Sequence, residues 1–160
     1  MMSERLENIK TALAESRARV NYVFDRMGDA WDTPIYSDGA AWNAHQLAIH
    51  MAISDRGLSN QAIGIAAGKE VIPADFDLER FNRRSVEKSA ERTIEQVRED
   101  MATSRAELLQ WLDNLPDESV LDKEGRMAAL HIWSAERILY WVASHEKTHA
   151  DDMAQVLGIQ

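Results

Sequence analysis

The sequence predicts an all-α protein, a four-helix bundle, on three observations. Apolar residues recur at spacings of three, four or seven along four separate blocks, which marks helix faces rather than strands. The three prolines, Pro34, Pro73 and Pro116, all fall between those blocks. No alternating β-branched run is long enough to suggest a sheet. Four amphipathic helices without strands can bury their stripes only against one another. At 160 residues the chain reads as a single helical-bundle domain, 1–160.

The first block runs from about Ser3 to Met27, with Leu6, Ile9, Leu13, Val20, Phe24 and Met27 on one face, and Gly28-Asp29 ends it. Residues 30–41, with Pro34, Asp38 and Gly39, read as a loop. The second helix opens at Trp42-Asn43. Asn43 is a good N-cap, and Gln46 three residues on can complete a capping box. It continues through Leu47, His50, Met51, Ser54 and Leu58 towards Gly64 or Gly68. Residues 69–92 read as a long connection whose Phe76 and Phe81 pack over one end of the bundle. Thr93 to Gln96 repeats the capping-box pattern, and Val97, Met101, Leu108 and Leu112 form the third buried stripe before Asn114-Leu115-Pro116. A last helical block covers about Met127 to Leu157, with Ser134 available as a fresh N-cap. Its stripe is Ile138, Val142, His145, His149 and Val156.

Composition narrows the function classes. The formal net charge is −9, and the 18 Lys and Arg are scattered, which argues against nucleic acid as a main partner. No stretch reaches the roughly 18–20 apolar residues a membrane helix needs, and the N-terminus has no apolar signal core. A cytoplasmic location with no membrane partner is therefore expected. There are no cysteines, so disulfides, thiolate metal ligands and a protein thiol nucleophile are excluded. Any thiol chemistry would need a second small molecule.

The candidate site is a set of histidines. His145 and His149 are four residues apart and project from one helix face. His50 lies on the apolar face of the second helix, beside Leu47, Met51 and Ser54. If those two helices face each other, three imidazoles converge on one metal ion and leave a position open for water or substrate. The bland alternative is a chance i, i+4 pair and a core histidine. His45 lies about 140° around the helix from His50. His131 lies roughly 20 Å of helix from His145. Both read as surface or packing residues.

His145-Glu146-Lys147-Thr148-His149 also matches the H-E-x-x-H motif of zinc proteases, in which the Glu activates a metal-bound water. A protease is not expected: only 11 residues follow His149, too few for the usual third ligand, and Ala150-Asp151-Asp152-Met153 lacks the extended continuation. Glu146 remains a candidate catalytic base, against the plainer reading of a solvated side chain off the ligand face. Asp152, three residues after His149, is either a partner that orients that imidazole or a surface carboxylate.

Together these elements resemble the DinB family of damage-inducible, mostly bacterial four-helix bundles. Trp42, Asn43 and His50 are similar to its first element, His145 and His149 to its second, and the capped helix from Thr93 to Pro116 to its third helix. Where the family commonly carries Gln three residues after the last His, this chain has Asp152. The resemblance implies an up-down-down-up topology, often a homodimer, with one divalent metal ion (zinc, nickel or iron) on His50, His145 and His149. It also implies a transferase that joins a low-molecular-weight thiol to a small electrophile, in stress or detoxification. The alternatives are metal-assisted hydrolysis, with Glu146 as the base acting on a metal-bound water, and a non-catalytic metal-binding or dimeric bundle.

Overall fold

The structure is a computed structural model and describes residues 2–160. Four long helices form the bundle: α1 (Glu4–Asp25), α2 (Ala44–Ala66), α4 (Ile94–Asp113) and α5 (Ala135–Leu157). Each starts at a side chain that accepts a bond from an otherwise unpaired N–H of the first turn: Ser3, Asn43, Thr93 and Ser134. Asn43 with Gln46 and Thr93 with Gln96 form complete capping boxes. At the far end of α5, Gly158 takes the left-handed conformation (φ 70°) that closes the helix.

The contacts give the helix directions. Arg5 pairs with Glu136 and Arg19 with Asp151, so α1 and α5 run parallel. The first half of α2 packs with Val97 and Met101 of α4 and with Ala150 and Met153 of α5. Its second half packs with Leu108 and Leu112 and with Ile138 and Val142. Thus α2 runs parallel to α4 and antiparallel to α5, and the bundle is up-down-down-up. Among the described residues no helix is long and apolar enough to cross a membrane.

The structure departs from the sequence reading in three places. Residues 127–134 are not helical. A short hairpin stands there, β1 (Glu124–Arg126) paired antiparallel with β2 (Ile132–Ser134), and α5 starts only after it. Gly125 lets β1 approach α2, because a Cβ there would lie 2.7 Å from Ile65 Cγ1. The expected long connection contains a helix, α3 (Leu78–Lys88), which buries only Val86 and so carries almost no apolar stripe to read. Val156 is 48% exposed, and Met153 and Ala154 take the buried positions at that end of α5.

Candidate metal centre

The loop between α1 and α2 is stitched before it enters α2. Ile35 N and Tyr36 N donate to Trp42 O, and Ala44 N donates to Thr33 O. This backbone places Trp42 against the ring of His50, at 4.6 Å between centroids. It also places the phenol of Tyr36 against His149. From α2 and α5, His50, His145 and His149 each offer a ring nitrogen, and these atoms all lie within 4.8 Å of one another. The Nε2 atoms of His145 and His149 face each other at 3.2 Å.

The donor set fits a divalent ion on two counts. Two nitrogens bound tetrahedrally at 2.0–2.1 Å stand about 3.3 Å apart, close to the separation of the two Nε2 atoms. All three imidazoles are also neutral, as ligands must be. Burial, reinforced by the neighbouring histidines, pushes His50 down to about 3. Burial and then His149 push His145 down to about 4, against an opposing pull from Asp55. Burial alone pushes His149 down to about 4.

Tyr36 fixes the tautomer of His149. Its hydroxyl donates to Asp152 Oδ2 at 2.5 Å and lies 2.8 Å from His149 Nδ1. Burial and then the Asp152 bond hold the phenol well above its ordinary range, so it stays protonated. With its one proton given to Asp152, Tyr36 accepts from Nδ1–H, and Nε2 keeps its lone pair for a metal. Asp152 therefore reaches His149 through a tyrosine that the sequence reading did not single out.

Glu146 is placed elsewhere. It is 2% exposed, so it is not the solvated side chain of the plainer reading. Its Oε1 accepts from Arg105 at 2.8 Å and from Arg17 at 3.1 Å, and Oε2 accepts from Ser16 at 2.7 Å. Asp55 completes the network, 3.0 Å from Arg105 and 3.3 Å from Arg17. All four long helices contribute to it, and the carboxylate felt by His145 is Asp55 rather than Glu146. His45 binds the carbonyl of Arg92 and His131 stacks on Trp133, so neither joins the cluster.

The three imidazoles open onto a pocket of about 390 Å³. Its wall is mostly apolar, with Ile53, Leu58, Phe76, Phe81 and Met127, and no carboxylate among the described residues lines it. Phe76 and Phe81, 5.5 Å apart, thus cover this pocket.

Fold and site define a four-helix bundle with a three-histidine cluster between antiparallel helices. A profile of the DinB superfamily matches residues 12–153, and the chain belongs to that superfamily. None of the curated proteins matches it. Among solved structures it is similar to YfiT from Bacillus subtilis, with a TM-score of 0.66 at 14% identity over 100% of this chain and 92% of that one. YfiT is described as a probable metal-dependent hydrolase with an unusual four-helix bundle topology. At that identity the likeness establishes the fold.

Proposed function

We propose that this chain is a metal-dependent enzyme in which His50, His145 and His149 hold one divalent ion, zinc, nickel or iron. A small nucleophile attacks a largely apolar electrophile in the pocket before them. The observation that carries the reading is the meeting of three neutral imidazoles on the wall of an apolar pocket. A divalent ion held there would supply the charge that lowers the pKa of a thiol or water brought beside it. Tyr36 and Asp152 orient His149, Trp42 backs His50, and Phe76 and Phe81 exclude water from the apolar substrate.

Of the two nucleophiles, a low-molecular-weight thiol suits the pocket better. A thiol, with a pKa near 8.5, ionises far more readily than water and needs no protein base. Among the described residues the pocket offers no carboxylate for that task, and Glu146 is bound to two arginines. Hydrolysis is the second reading, and it is favoured by the likeness to YfiT.

The test begins with metal content of the purified protein beside a His50→Ala, His145→Ala double variant. One equivalent in the parent and none in the variant is expected. The loaded protein is then given a small aryl halide with and without a low-molecular-weight thiol. Thioether formed only with the loaded parent supports thiol transfer, and product formed equally without thiol identifies water. Equal metal in parent and variant would remove both readings.

A further inference from the structure

Beside the metal pocket lies a larger groove of about 810 Å³ between α1, the hairpin and α5. The two recesses share Met127, Ala129 and Trp141 as a common wall. The ring of Trp141 stands 5.7 Å from that of His145. We infer that this groove seats the second substrate, an organic carboxylate with an apolar or planar body. Its acid group meets Arg137, and its other end passes Trp141 towards the imidazoles. The inference rests on the enzyme reading above and adds the chemical class of its second substrate.

Three observations support it. Trp133, Tyr140 and Trp141 give the groove an aromatic lining, and Tyr140 and Trp141 are left 38% and 39% exposed. Trp133 and Trp141 meet edge to face at 5.9 Å, a rigid cleft against which a planar or aliphatic body can lie. The guanidinium of Arg137 lies 4.2 Å over the Trp133 ring and has no carboxylate partner among the described residues. Stacking presents the edge of that fork, the geometry that grips a carboxylate with two bonds. Lys147 stands about 15 Å further along α5 and is engaged by Asp151 at 2.7 Å, so Arg137 is the cation that meets the acid group.

The test is a titration of phenylpropionate and of its neutral amide, phenylpropionamide, read by calorimetry and tryptophan fluorescence. Both the metal-loaded and the chelator-stripped protein are used. The expected result is saturable binding of the acid, with the amide at least about tenfold weaker. Arg137→Gln should bring the two ligands level. Arg84→Gln on α3, exposed and far along the chain from the groove, should change nothing. Stripping the metal should leave the preference for the acid intact. If the stripped protein shows that preference while no preparation takes up metal, the groove assignment stands and the metal reading falls. Equal binding of acid and amide, or binding of neither, overturns the inference. So does a preference that survives Arg137→Gln and vanishes with the metal, because the acid would then sit on the ion. A parent that runs as a dimer and is split by Tyr140→Asp would also overturn it, since a second copy would cover the groove.

Discussion

Tyr36 holds His149 at Nδ1 and leaves Nε2 facing that of His145 across 3.2 Å. Tyr36→Phe should therefore fold normally and bind metal about ten- to a hundredfold more weakly, as losses of such supporting partners usually do. Competition against a chromophoric chelator measures this, and parental affinity in the variant would mean the phenol orients nothing. His149→Ala should keep its helical circular dichroism and lose most metal affinity. Glu146→Gln belongs to a different class. It leaves Arg17 and Arg105 buried with one carboxylate between them, a loss on the order of 3–5 kcal/mol. The deficit should appear in urea unfolding of the metal-free protein, before any assay of activity. A variant of parental stability would free Glu146 for another role.

At the scale of elements, caps and close approaches decide where the site residues stand. Asn43 starts α2 immediately after Trp42, which packs on His50. Asn43→Ala should cost about 1 kcal/mol and loosen that contact. Its signature would be a changed tryptophan emission accompanying the lower melting temperature. The hairpin supplies Met127 and Ala129 to the wall between pocket and groove, and Gly125 holds it against Ile65. A methyl at Gly125 forces the hairpin from α2, so Gly125→Ala should destabilise by about 1–3 kcal/mol. It should also alter ligand binding in both recesses. Parental stability would show that Ile65 yields at no cost.

For the whole molecule, the neutral imidazoles couple folding to pH. In the unfolded chain a histidine titrates near 6.5. In the folded metal-free protein His50 titrates at about 3, and His145 and His149 at about 4. Between those values the unfolded chain binds more protons, so stability is full above pH 6.5 and falls as pH drops towards 4. Each histidine removes up to about 1.4 kcal/mol per pH unit in that window. Urea midpoints of the stripped protein at pH 7 and pH 5 should show the decline, and a flat profile would mean the rings are solvated. Bound metal should raise the melting temperature, because the ion selects the folded cluster.

The bundle, its caps at Asn43, Thr93 and Ser134, and the pairing of His145 with His149 were legible in the sequence, because each depends on short spacings that helix geometry fixes locally; that His50 meets the pair depended on the second and last helices facing each other. The charged network was also written there but went unread. Arg17 lies between Leu13 and Val20, Asp55 between Met51 and Leu58, Arg105 between Met101 and Leu108, and Glu146 between Val142 and Met153. Each is a polar residue within a buried stripe, and together they mark where the two halves of the core meet. A stripe shows that such a residue is buried but not what it pairs with. The role of Tyr36, the hairpin and α3 had even less local signal. Tyr36 reaches His149 across 113 positions of chain through a loop held by backbone bonds. The hairpin's approach to α2 depends on Gly125 fitting against Ile65. Local periodicity determined which faces are buried and which histidines share one. Only the tertiary structure decided which buried charge met which, because that depends on contacts between helices far apart in sequence, which spacing along the chain does not encode.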